Sequence, residues 1–286
     1  MTAPDPRITP YRSDLAAEHL RGHVDAARYV RGTNRAVLSG YAPLRRRPAA
    51  TAALDTELLF GETVTVYDET EGWCWLQAER DGYVGYAPSD TIGDDPGPAT
   101  HTLAALRSYL YPEPDLKAPP LDLMSITASV RVTGRSGAFS EIAGGGWIFS
   151  RHLAPADEYE RDHAAVALRF LGTPYLWGGR TSIGLDCSGL IQLALARCGL
   201  AAPRDTDMQE TAVGAPVAFD GDESVLVRGD LVYWSGHAGI WIDADRFVHA
   251  NATDMMAAVA PLRDVATFIE KELGEKIRSV RRLVRI

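Results

Sequence analysis

The sequence predicts an α+β C-terminal domain preceded by two small all-β barrels. Three observations predict this. Short runs of period-two alternation, separated by Gly and Asp turn signals, fill residues 35–92. A weaker copy of that pattern follows over 101–153. Beyond residue 157 the character changes, and helical stretches are segregated from a group of antiparallel strands.

The elements follow in chain order. Residues 1–34 are expected to be an N-terminal helical segment: Leu15, Leu20, Val24 and Val30 supply apolar positions over 14–31, with Ser13 or Asp14 as a cap. In 35–92, strands are expected at ETVTVY (62–67), WCWLQ (73–77) and GYVGY (82–86). Gly61, Gly72 and Gly82 mark the turns between them. GDDPGPAT (93–100) reads as a linker. In 101–153, GAFSEIAGGGWIFSRHL aligns with GWCWLQAERDGYVGYAPSDTI of the first module: a strand, a Gly turn, then an aromatic-Gly strand leading into a short terminal turn. Trp73, Trp75 and Trp147 are expected in the cores of these modules. Residues 157–286 should hold a helix over 157–171, an apolar helix over 187–198, and strands at 230–235, 238–242 and 246–250. A helix over about 261–275 and a strand-like tail over 279–286 complete the domain.

Composition bounds the function. The chain has 286 residues, 46% hydrophobic and 23% charged, which provides for a packed core and carries no signature of disorder. It contains no run of about 18 apolar residues, so no transmembrane helix is expected. The start, MTAPDPRITPYRSDL, is polar and lacks the basic-then-apolar order of a secretory signal, so a cytoplasmic chain is expected. A net charge of -9 argues against nucleic acid or an anionic membrane as partner, since both need basic patches. The cysteines, at 74, 187 and 198, are odd in number and fit no disulfide framework or zinc knuckle. They read as reduced thiols.

Cys187 is the cysteine placed for chemistry. It follows the Gly-containing loop GTPYLWGG (172–179) and GLD (184–186), and opens an apolar helix that Gly199 stops. A thiol at a helix N-terminus feels the positive end of the dipole, which favours its thiolate. Such a nucleophile still wants a base. His237, in WSGHAGIWI, and His249, in RFVHAN, flank a turn over 243–246. In a hairpin that pairs odd with odd positions, both histidines share one sheet face, so one can touch Cys187 while the other orients it. Gly239 on that face is expected to leave room for substrate. Cys74 and Cys198 read as structural. Zinc held by Cys187, His237 and His249 is the competing reading of the same residues. The Gly-Leu-Asp-Cys-Ser-Gly context favours a nucleophile, and no metal or cofactor is expected.

The two β-modules resemble bacterial SH3-like domains, which often sit beside cell-wall hydrolase domains. The set YLWGG…GLDCSGL…HAGIWI…FVHAN resembles the NlpC-type papain-like cysteine peptidases. That resemblance implies a papain-like α+β fold and hydrolysis of peptidoglycan peptides at the γ-D-glutamyl to diamino-acid bond. It implies Cys187 as nucleophile, His237 as base and His249 as the orienting third member. Tyr175 would lie near the nucleophile and help stabilise the oxyanion. Asp186 and Ser188 resemble substrate contacts. In PRDTDMQ (203–209), Asp205 resembles a ligand for the free amine of an N-terminal L-alanine. In members with N-terminal SH3-like modules, a carboxylate and a tyrosine of the first module close the cleft; the resemblance would assign those positions to Glu62 and Tyr83. Carboxylates around a cationic amine select a free N-terminus. The implied partners are peptidoglycan-derived peptides, in cell-wall peptide recycling. Two other readings stand beside this one: a papain-like amidase or acyltransferase with another substrate, since one triad serves several acyl transfers, and a non-catalytic cell-wall-binding protein.

Overall fold

The computed structural model describes residues 4–283. The chain divides into two compact units, Met1–Glu158 and Tyr159–Ile286.

The first unit is β-rich throughout. The segment over 14–31 is not the helix expected. It holds two paired parallel strands, Ala16–Ala17 and Tyr29–Val30, and one 3-10 turn, Glu18–Leu20. The reason lies in packing. Leu15, Ala16 and Ala17 are buried consecutively, which a helix with one apolar face cannot provide, and Gly22 takes φ +84°. Asp14 caps nothing and instead pairs with Arg12 at 2.8 Å. The Arg12 guanidinium lies 4.4 Å over the Trp75 ring and bonds Asp68 at 2.7 Å, which fastens the segment to the barrel.

Seven strands follow in one antiparallel sheet. Its order is Leu54–Leu59, Tyr41–Arg45, Val84–Pro88, Trp73–Ala78, Thr63–Thr70, Thr33–Val37 and Ile92–Gly93. The alternation read in the sequence buries Val64, Cys74, Leu76 and Ala87 on one side, with Val37, Leu44 and Leu58. Trp75 is buried as expected, whereas Trp73 is half-buried. The second β-module packs on Leu103, Leu110, Met124, Val130, Ile142 and Ile148, and Phe60 of the first module shares that core. It consists of three small sheets rather than one continuous ladder, and it ends with the strand Leu153–Pro155. Trp147 there is half-buried.

The second unit is α+β. A six-stranded antiparallel sheet runs in the order Ala215–Val217, Ser279–Arg282, Leu231–Trp234, His237–Asp243, Arg246–Asn251, Met256–Pro261. The last expected positions of the tail strand, 284–286, lie outside the described residues. Helix α1, His163–Leu168, is shorter than expected because Asp162 caps it, accepting from Ala165 N–H at 3.0 Å. Helix α2, Cys187–Arg197, is buried at all but one position, which explains its nearly unbroken apolar sequence. It packs against the His237–Asp243 strand. Helix α3 is Thr206–Ala212, and helix α4 is Leu262–Leu273, ended by Gly274 at φ +71°. Leu262, Val265 and Ile269 of α4 pack with Val232, Trp234, Trp241 and Phe247.

Candidate active site

The loop before α2 is seated by one carboxylate. Asp186 is the N-cap of α2, and its Oδ1 accepts from Gly189 N–H at 2.7 Å. Its Oδ2 accepts from Gly178 N–H at 2.9 Å, which ties the Gly-rich loop down. Arg204 donates to both oxygens, at 2.9 and 2.7 Å, and to Ser188 Oγ at 2.7 Å. Arg204 is 1% exposed, so this is a buried bidentate pair. The glycines have a steric role: a Cβ on Gly189 would stand 2.4 Å from the Gly179 carbonyl oxygen, so the loop lies directly on the helix start.

Cys187 opens α2 and is buried. Its Sγ lies 3.9 Å from the Gly236 carbonyl, and the N–H groups of Ala238 and Ser188 favour its charged form. The sulfur is thus bracketed by the backbone on either side of His237. The hairpin register pairs Ile240 with Val248 and Trp241 with Phe247, so odd positions pair with odd. His237 and His249 share a face accordingly, with His237 Nε2 2.9 Å from His249 Nδ1. His249 is 5% exposed. Beyond it, His249 Nε2 meets the Asn251 amide at 3.2 Å, and Asn251 Nδ2 donates to Asp254 Oδ2 at 3.0 Å. Gly239 leaves no room for substrate, because the place of its missing Cβ is taken by the Phe247 ring at 2.4 Å and the Val248 carbonyl at 2.6 Å.

The electrostatics describe an uncharged resting centre. Burial pushes the Cys187 thiol up to about 12, the Asp186 charge adds to that, and the Ala238 N–H, Arg204 and the Ser188 N–H oppose it. Burial brings His237 down to about 3, with His249 adding to the effect. Burial also brings His249 down to about 4, against the pull of Asp254. Burial therefore outweighs the helix-terminus effect expected at Cys187. Tyr175 is half-buried, and burial followed by the charges at Cys187 and Asp186 raises its hydroxyl, which stays protonated as a donor.

The remaining expected residues take these positions. Asp186 and Ser188 lie in the buried network with Arg204. Asp205 stands at the N-cap position of α3, and its side chain makes no capping bond. Gln209 donates to the carbonyls of Ser188 and Pro203, at 3.0 and 2.9 Å, and so holds α3 against the start of α2. Glu62 is buried within the first unit, where Oε2 accepts from Leu59 N–H at 3.0 Å and Oε1 pairs with Arg80 at 2.5 Å. Tyr83 is 4% exposed in the core of that unit. Among the described residues, no set of three or more His, Cys, Asp or Glu side chains is arranged to hold a metal ion. Arg204, Asn251 and Asp254 were not singled out by sequence reasoning. Asn251 had a signal: it stands two residues after His249 on one strand, hence on the same face.

A cavity of about 340 Å³ adjoins the histidines. Its lining includes Tyr175, His237, His249 and Asp254, together with Val265, Phe268 and Ile269 of α4. Its size lies in the range of small-ligand sites, about 300–1,000 Å³.

Comparison with known proteins gives two family matches. A bacterial dipeptidyl-peptidase SH3 domain model matches residues 44–92, and the NlpC/P60 family model matches residues 172–269. Dipeptidyl-peptidase 6 of Lysinibacillus sphaericus is 25% identical over 274 residues, covering 86% of this chain and 98% of that protein. The gamma-D-glutamyl-L-lysine dipeptidyl-peptidase of Bacillus subtilis (strain 168) is 25% identical over 245 residues, covering 77% and 79%. A crystal structure of an NlpC/P60 family protein from Bacillus cereus shares the fold, with a TM-score of 0.75 at 19% identity, over 88% of this chain and 100% of that one.

Proposed function

The chain belongs to the NlpC/P60 family of cysteine peptidases, with an SH3-like domain ahead of the peptidase domain, and from that premise we propose its bond and its substrate. It cleaves the γ-D-glutamyl to diamino-acid bond of peptidoglycan stem peptides that carry a free N-terminal L-alanine. The observations that carry this reading are that Cys187, at the N-terminus of α2, sets its Sγ 3.9 Å from the Gly236 carbonyl next to His237, and that His237 Nε2 stands 2.9 Å from His249 Nδ1. The relatives named for dipeptidyl-peptidase activity, matched along most of their length, support the choice of bond.

In this mechanism His237 takes the thiol proton at Nδ1, the nitrogen not facing His249. The sulfur attacks the γ-carbonyl carbon. The Tyr175 hydroxyl and the N–H at the start of α2 stabilise the oxyanion. His237 then gives its proton to the leaving amine, and a thioester to Cys187 remains. Water, deprotonated by His237, attacks the thioester and releases the L-Ala-γ-D-Glu product and the thiol. His249 orients His237 throughout. Asp205 reads the free amine at the far end of the substrate. All three cysteines are free, which suits a reducing compartment and the recycling of freed peptides there.

The test is a mass-spectrometric assay with three substrates: L-Ala-γ-D-Glu-diaminopimelate, its N-acetylated form, and intact sacculi. Release of L-Ala-γ-D-Glu from the free peptide alone, lost in Cys187→Ala, is the expected result. Equal cleavage of the acetylated peptide removes the amine-reading role of Asp205. No cleavage of any of the three overturns the proposed bond.

A further inference from the structure

Asn251 is buried, with 8% of its surface exposed, and it is held on both sides of its amide. Its Oδ1 accepts from Asp254 N–H at 2.8 Å. Its Nδ2 donates to Asp254 Oδ2 at 3.0 Å and faces His249 Nε2 at 3.2 Å. An amide NH₂ group only donates. Turning the amide round would set its oxygen against the Asp254 carboxylate and its NH₂ against the Asp254 N–H. The clamp by Asp254 therefore decides which end of the amide meets the histidine. His249 Nε2 accepts, so the proton of neutral His249 is on Nδ1. That proton is given to His237 Nε2, 2.9 Å away. His237 then carries its own proton on Nδ1, the very nitrogen that must be bare to take a proton from Cys187.

We propose that Asn251, clamped by Asp254, holds the two histidines in the tautomer that cannot accept the thiol proton, and that turning this amide round releases the base. The inference rests on the reading of Cys187, His237 and His249 as the peptidase centre. With the amide turned, Asn251 Oδ1 accepts from His249 Nε2–H, and His249 Nδ1 accepts from His237 Nε2–H. His237 Nδ1 is then bare. Each ring keeps one proton, moved from Nδ1 to Nε2, so nothing is gained or lost by the pair. The change gives up two hydrogen bonds to Asp254. Asn251 is a positioning residue here, acting through His249.

The charged and titratable groups facing this line are defined. Cys187 faces Asp186 and Arg204, and Tyr175 and Tyr233 face Cys187. His237 faces His249, and His249 faces Asp254. Asp264 of α4 lines the adjoining cavity.

The direct test reads the tautomer by ¹⁵N NMR of the full chain labelled at histidine, with His249 assigned against a His249→Asn variant. At neutral pH, a protonated Nδ1 and a bare Nε2 on His249 are expected. A protonated Nε2 on His249 overturns the proposal. A second test combines Asn251→Asp with Asp254→Asn, which presents an acceptor to His249 and keeps two bonds to position 254. The pH midpoint for iodoacetamide alkylation of Cys187, followed on its peptide by mass spectrometry, should fall by about one unit, a roughly tenfold rate gain below the midpoint. An unchanged or higher midpoint contradicts the clamp. Should the double variant not fold, the NMR result on the native chain decides alone. Peptide cleavage separates the two readings: cleavage by a chain with the other tautomer sinks this inference only, and the stated tautomer without cleavage of any peptide sinks the proposed function only.

Discussion

Replacing Asp186 by alanine should cost the peptidase unit about 4 kcal/mol. The carboxylate caps α2 through Gly189 N–H, and losing such a cap costs about 1 kcal/mol. It is also the counter-charge of Arg204, whose side chain is 1% exposed. Removing one member of a buried ion pair costs about 3–5 kcal/mol, because the other charge is left uncompensated. Arg204 keeps its bonds to Ser188 Oγ and the Gly179 carbonyl, which sets the lower end of that range. Against a total of about 5–15 kcal/mol for a domain, the variant should be close to unfolding. The assay is urea unfolding followed by tryptophan fluorescence, since Trp234 and Trp241 lie in the core of this unit. A companion variant sharpens the argument: Asp186→Ala with Arg204→Met removes the stranded charge and should recover more than about 1 kcal/mol relative to Asp186→Ala alone. A loss below about 2 kcal/mol in the single variant, or no recovery in the double, would refute the view that Asp186 is held in place to pair Arg204.

Acid should weaken the same unit. His237 and His249, brought down to about 3 and about 4, bind fewer protons folded than unfolded. The stability they contribute is full above the ordinary value of 6.5 and is lost as pH falls toward 4 and then 3. A melting series from pH 7 to pH 4 should show this slope, and His249→Asn should flatten it; a flat native series rejects the burial argument. The Cys187 thiol, raised to about 12, works in the opposite direction, so its contribution is full below about 9 and is lost as pH rises above it. Cys187→Ser should therefore keep more of its neutral-pH stability at pH 10 than the native chain does, as read by urea midpoints. Gly189→Ala should destabilise by about 1–3 kcal/mol and lower the peptidase rate, because its Cβ would meet the Gly179 oxygen at 2.4 Å; native-like stability and rate would show that the loop can yield. Cys198→Ala should leave peptide cleavage unchanged while Cys187→Ala abolishes it, which the mass-spectrometric assay reads directly.

Local chemistry explains which parts were legible in the sequence. The start of α2 was, because the Asp-Cys-Ser-Gly run carries its own cap and the following residues are apolar almost without break. The shared face of His237 and His249 was also legible, since strand parity is a property of residue numbers. The 14–31 segment was misread because its apolar spacing resembles a helix, while Gly22 and the consecutive burial of Leu15, Ala16 and Ala17 are set by docking onto the barrel. Asp186 was assigned to substrate because nothing local shows that Arg204, 18 positions away, occupies its carboxylate. Gly239 was assigned open space because the Phe247 ring reaches it only after the hairpin has closed. The clamp of Asn251 by Asp254 depends on a turn whose geometry short polar residues alone do not announce.

The bulge between Trp241 and Asp243 has a use for anyone wishing to modify the molecule. Below it, at Ile240–Val248 and Trp241–Phe247, a slip of one residue would swing His249 to the opposite face of the sheet. Above it the register has already shifted, with Asp243 opposite Arg246, and residues 243–246 are all exposed. The tip is thereby uncoupled from the parity that aligns the histidines. An affinity tag or fluorophore-bearing segment inserted between Ala244 and Asp245 lengthens the ribbon beyond the bulge, and the histidine pairing beneath it keeps its phase.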